Sequence, residues 1–111
     1  MPKKDPKKFL YDIAESIGFV FDEHLAGINS LAEYEADRTV QDAVERRLIT
    51  IGEAVLKLQQ AGIRLSFGDQ IINRRNTLTH QYDVFTAESI WESVHRELPG
   101  LKAEVDRLLG E

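Results

Sequence analysis

An all-α fold, an up-and-down bundle of four main helices, is what this 111-residue sequence predicts. Three observations carry the expectation. Apolar residues recur at steps of three and four along most of the chain, the period of a helix with one buried face. Side chains suited to helix N-caps stand just before those stripes, and glycines stand just after them. No stretch alternates apolar and polar residues as a half-buried strand would. The length fits one domain, 1–111, with 1–5 and 110–111 as flexible ends, because domains commonly run to roughly 100–150 residues.

The first helix begins at Asp5-Pro6, with Asp as N-cap and Pro at the first helical position, where its missing N–H costs nothing. Its stripe is Leu10, Ile13, Ile17, Val20, Phe21 and Leu25, and Gly27 supplies a left-handed stop. Ser30-Leu31-Ala32-Glu33 is a capping box and opens a second helix, with a break near Asp37-Arg38-Thr39. The stripe continues through Val40, Ala43, Val44, Leu48, Ile51, Val55 and Leu58 to a C-cap at Gly62. Within it, Gly52 costs about 1 kcal/mol against Ala, which predicts a tight helix crossing there, with Glu53 as an exposed or capped carboxylate. Ser66-Phe67-Gly68-Asp69 is a weaker box and opens a third, shorter helix through Ile71, Ile72 and Leu78. Thr86 caps the fourth, whose stripe runs through Ile90, Trp91, Val94, Leu98, Leu101, Val105 and Leu108 to Gly110. Pro99 lies inside it, and because the stripe stays in phase on both sides a kink is expected there rather than an end.

Composition narrows the function. With 42% hydrophobic and 30% charged residues the chain is neither disordered nor a membrane protein, and its longest apolar run is far short of the roughly 18 residues of a spanning helix. Asp12 and Glu15 interrupt what a signal peptide would need as an apolar core, so the expected location is the cytoplasm. The absence of cysteine removes disulfides, thiolate metal sites and thiol nucleophiles together. No HExxH or similar pair exists, so neither a metal nor another cofactor is expected. His24 and His95 read as structural or surface residues. A net charge of −5 argues against a broad basic surface for nucleic acid; a local basic site stays open, and an acidic body suits a basic protein partner. Lys3, Lys4, Lys7 and Lys8 form either a solvated tail or an arm that steers RNA.

Cations, amides, hydroxyls, an imidazole and a phenol crowd together only in the segment from Asn73 to Asp83. Asn76 and His80 lie four apart and share a helix face. Arg75 and His80 lie five apart and diverge by roughly 140° on an ideal helix. They converge only if the helix unwinds before His80 or if two subunits combine their sites. An imidazole that titrates near neutrality and a guanidinium that grips phosphate suit cleavage of a phosphodiester without metal. The bland alternative is that these residues cap a helix end and Tyr82 packs its ring.

Arg75-Asn76, His80 and Tyr82 form an RNxxxHxY motif that resembles that of HepT-like proteins, members of the HEPN superfamily of helical-bundle ribonucleases. Gln41-Asp42-Ala43-Val44, Ile51-Gly52-Glu53-Ala54, Trp91, Leu98-Pro99 and Leu101 match the family pattern in order and spacing, so the likeness covers nearly the whole chain. Phe67 stands near where relatives often carry Trp, and Asn73-Arg74 replaces commoner small or apolar residues, which leaves two arginines competing for the cleft.

The resemblance implies a metal-independent endoribonuclease, the toxin of a type VII toxin–antitoxin pair, acting on RNA as a homodimer, with neither DNA nor a membrane as partner. It places Arg75 and His80 as the catalytic pair, Asn76 beside them in support, and Tyr82 as the motif tyrosine. It further implies a minimal nucleotidyltransferase antitoxin that transfers AMP to Tyr82, adding bulk and negative charge where RNA phosphate would bind. The competing expectation is a non-catalytic HEPN module that pairs with a nucleotidyltransferase or binds a nucleotide. A purely structural dimerising bundle is the third.

Overall fold

The computed structural model describes residues 5–80 and 85–110. Their regular elements are all helical: α1 Pro6–Phe19, α2 Leu31–Glu35, α3 Arg38–Gln60, α4 Gly68–Thr79 and α5 Ala87–Leu108. A π-helical turn, Val20–His24, continues α1 without a break. The four main helices expected from the stripes are present, and the anticipated break near Asp37 separates the short α2 from the long α3.

The caps account for most boundaries. The Asp5 carboxylate accepts the Lys7 N–H at 2.9 Å, and the Ser30 hydroxyl accepts the Glu33 N–H at 3.2 Å. Glu33 reaches back one residue further than a standard box, to the Asn29 N–H. At the corner between α2 and α3, Asp37 accepts the Val40 N–H at 3.0 Å. The buried Gln41 amide donates there to the Tyr34 and Glu35 carbonyls at 2.9 and 3.2 Å, satisfying the exposed end of α2. Thr86 accepts the Ser89 N–H at 3.1 Å and starts α5. Gly62, with φ 88°, lets the chain leave α3 by a left-handed turn. α5 runs through Pro99 as one element.

One boundary corrects the sequence reading. Ser66 does not cap α4: its N–H and hydroxyl both bond the Glu104 carboxylate on α5, at 2.8 and 3.3 Å. The chain instead turns at Phe67, whose φ of 63° lies in the left-handed region, and α4 starts at Gly68. A tertiary partner thus outcompetes the local box for the same hydroxyl.

α3 is the axis of the bundle, with α1 and α4 packed along it and α5 closing against α1 and α2. Val44, Leu48, Ile51, Val55 and Leu58 are its buried stripe. They meet Leu10, Ile13, Ile17 and Val20 from the first helix and Ile90, Val94, Leu98, Leu101 and Val105 from α5. Each such side chain contributes about 1.5–3 kcal/mol when fully buried. α4 differs: of its 12 residues only Gly68 and Ile71 are buried, so most of its surface is left for polar side chains. No helix among the described residues is long and apolar enough to cross a membrane.

Candidate active site at the end of α4

α4 carries two consecutive arginines, and successive helical residues point about 100° apart. They go to different neighbours. Arg74 crosses to α5, where Nη1 and Nη2 donate to Oε1 and Oε2 of the buried Glu97 at 2.7 and 3.3 Å. Its guanidinium also lies 5.9 Å from the centre of the Phe85 ring. Arg75 sits against α3, in the space left by Gly52: a Cβ on Gly52 would be 2.8 Å from Arg75 Cγ and 3.2 Å from the Ile71 carbonyl oxygen. The tight crossing expected at Gly52 is therefore present, and Arg75 is what fills it.

From that seat the Arg75 guanidinium reaches the surface with its side chain 27% exposed. Nη1 donates to Asn76 Oδ1 at 2.7 Å, and Nη2 is 3.8 Å from Glu53 Oε1. Arg75 Nε is buried without a hydrogen-bond partner. Glu53 also walls a groove of about 150 Å³ between α1 and α3, with Phe9, Asp12, Thr50, Ala54 and Lys57.

His80 is the C-cap of α4, at φ −86° and ψ 2°. Its N–H donates to the Asn76 carbonyl at 3.2 Å, and ring Nδ1 bonds the same oxygen at 2.5 Å. A carbonyl only accepts, so Nδ1 carries the hydrogen and Nε2 is the basic nitrogen of the neutral ring. Thr79 Oγ1 donates to that carbonyl too, at 3.0 Å. Asn76 is thus the common anchor: its side chain holds Arg75 and its carbonyl holds His80. The helix stops at His80 rather than before it, and the ring folds back over the last turn. Tyr82 lies outside the described residues.

The remaining histidines take packing roles. His24 accepts the Arg47 Nε–H through Nε2 at 3.3 Å and stacks on Phe19. His95 packs on Trp91 with ring centres 4.2 Å apart. Among the described residues no group of three or more His, Cys, Asp or Glu side chains could hold a metal ion.

Two carboxylates from other helices pair with α4, and the sequence motif names neither. Glu53, expected as an exposed or capped carboxylate, faces Arg75, and Glu97 holds Arg74. A usable signal existed for Glu97, since it stands in phase with the apolar stripe of α5 and a buried carboxylate demands a cation.

A family model described as Ribonuclease HepT-like matches residues 13–108, which include Gly52, Arg75, Asn76 and His80. The chain belongs to the HepT-like ribonuclease family. Among curated relatives, "Putative RNase MJ1216" of Methanocaldococcus jannaschii is 32% identical, covering 98% of the chain and 91% of that protein. "Putative RNase MJ1380" of the same organism is 33% identical over 96% of the chain and 98% of its own length. "Probable ribonuclease HepT" of Thermococcus cleftensis is 28% identical, with 96% and 97% covered. No solved structure matches. Of the two adjacent arginines, Arg74 is bound by Glu97, whereas Arg75 bonds Asn76 and lies near Glu53.

Proposed function

We propose that this chain is a metal-independent endoribonuclease, the toxin of a toxin–antitoxin pair, and that Arg75 and His80 carry its chemistry. The observation that supports this reading is the double role of Asn76, which fixes a guanidinium by its side chain and an imidazole by its carbonyl within one helical turn. His80 Nε2 takes the proton of a ribose 2′-hydroxyl. The 2′-oxygen bonds to phosphorus, the bond from phosphorus to the 5′-oxygen breaks, and the leaving oxygen takes a proton from water. Arg75 stabilises the charge that builds on the phosphoryl oxygens. Glu53, 3.8 Å from Arg75, keeps the guanidinium oriented until phosphate displaces it.

Tyr82 is the residue that a nucleotidyltransferase antitoxin would modify with AMP, and a homodimer would bring two such sites to one cleft; both rest on the motif. A net charge of −5 favours a second reading, a non-catalytic module that binds the nucleotidyltransferase or a nucleotide through the same residues. Labelled RNA incubated in excess EDTA with unmodified wild type and with His80→Ala separates the two. The ribonuclease reading expects cleavage by the first and none by the second. Binding of the partner without cleavage by the wild type supports the module.

A further inference from the structure

We infer that Arg74 and Glu97 are positioning residues: their ion pair sets the rotation of α4 about its axis and so aims Arg75 and the His80 cap, though neither member touches RNA. The inference rests on the ribonuclease reading above. The pair is enclosed, with side chains 13% and 7% exposed, and its two hydrogen bonds are those of a planar fork on a carboxylate. Such a fork fixes direction as well as distance.

Stability is a poor explanation for it. Desolvating two charges consumes most of their attraction, and buried pairs are often replaced by apolar side chains without loss. Direction is what an apolar pair would not supply. α4 needs direction, because it buries only Gly68 and Ile71 and packs along α3 alone over a broad area, a contact on which a short helix can roll. Gly52 sets how closely α4 approaches α3 at Arg75, and Glu97 restrains it from α5 through the adjacent residue. A roll of α4 would move Arg75 directly, since Arg74 and Arg75 share a peptide bond. Phe85 lies beside the Arg74 guanidinium, so the chain entering α5 is gathered at the same point.

The test compares wild type, the apolar pair Arg74→Leu/Glu97→Leu, the exchanged pair Arg74→Glu/Glu97→Arg, and Glu97→Gln. Thermal unfolding, kcat and KM on labelled RNA in EDTA, and the His80 ring chemical shifts by NMR are measured on each. The apolar pair is expected to unfold within a few degrees of wild type. Its kcat should fall about tenfold or more with KM little changed, as misplaced catalytic geometry does. The exchanged pair should recover most of that loss, because the fork is restored with its ends reversed. Wild-type kcat in a folded apolar pair overturns the inference, and so does an exchanged pair that folds but does not recover. Should the apolar pair fail to fold, Glu97→Gln decides: reduced kcat in the folded protein supports positioning, unchanged kcat overturns it. If wild type itself cleaves no RNA, the ribonuclease reading has failed. Positioning is then judged by the His80 ring resonances, whose chemical shifts should change in the apolar pair and overturn the inference if they stay.

Discussion

Gly52 of α3 and Arg75 of α4 share one space: the volume that a side chain on Gly52 would need is occupied by the first two carbons of the Arg75 side chain and bounded by the Ile71 carbonyl. None of these neighbours is the free end of a flexible chain, so a methyl group at Gly52 must push α4 away. Gly52→Ala gains about 1 kcal/mol of helix propensity, against about 1–3 kcal/mol for forcing atoms into a packed interface. Net destabilisation is the expected outcome, with RNA cleavage falling further than stability. Gly18→Ala is the control, because a Cβ there meets only Asp22 Oδ2 at 3.9 Å. It should leave cleavage intact and raise stability by up to about 1 kcal/mol in thermal or urea unfolding.

Asn76→Ala separates the two anchors that Asn76 provides. The variant keeps the backbone carbonyl that bonds His80 and loses the Oδ1 that holds Arg75. Cleavage should fall by about tenfold or more through loss of orientation, yet less than in His80→Ala. Kinetics on labelled RNA check the order. Equal loss in the two variants would mean that His80 also depends on the Asn76 side chain.

Tyr34 is 1% exposed and its hydroxyl has no hydrogen-bond partner. Burial, then the charges of Glu45 and Asp42, push its phenol well above the usual tyrosine range. The folded state therefore holds this proton more tightly than the unfolded chain does. Its stability contribution is complete below the unfolded value near pH 10 and is lost as pH rises beyond it, at about 1.4 kcal/mol per pH unit. Tyr34→Phe should be neutral or stabilising at pH 7, because an unmet buried hydroxyl costs about 1–3 kcal/mol. It should also remove that part of the alkaline loss. Unfolding curves of both proteins from pH 7 to about 11 test this.

The fold was largely legible in the sequence because most of the helices signal themselves locally. Asp5, Ser30 and Thr86 cap the helices that follow them, Asp37 at the expected break turns out to cap α3, and the apolar stripes form the core except at Leu108, which is 50% exposed at the end of α5. Ser66 misled because its carboxylate partner, Glu104, is 38 residues away, and local pattern contains nothing about so distant a competitor. At the site, Gly52 announced a close approach through its cost to the helix, but the sequence did not say that Arg75 would fill it. The sequence leaves Arg74 and Arg75 side by side without distinguishing their partners, and the packing of α5 is what ties Arg74 to Glu97. The His80 bond to the Asn76 carbonyl follows the four-residue spacing already visible in the sequence, as the His95 ring bonds the Trp91 carbonyl inside α5; the Asn76 side chain's bond to Arg75 is what spacing alone does not reveal.

The ends of the RNA products test the central claim most directly. Wild-type protein, confirmed by intact mass to carry no adduct, is incubated with RNA in excess EDTA beside Arg75→Ala and His80→Ala, and the fragments are weighed by mass spectrometry. Attack by the ribose 2′-hydroxyl predicts fragments ending in a 2′,3′-cyclic phosphate and beginning with a 5′-hydroxyl, formed by wild type and by neither variant. Fragments with 3′-hydroxyl ends, or the same cleavage by His80→Ala, would contradict the account.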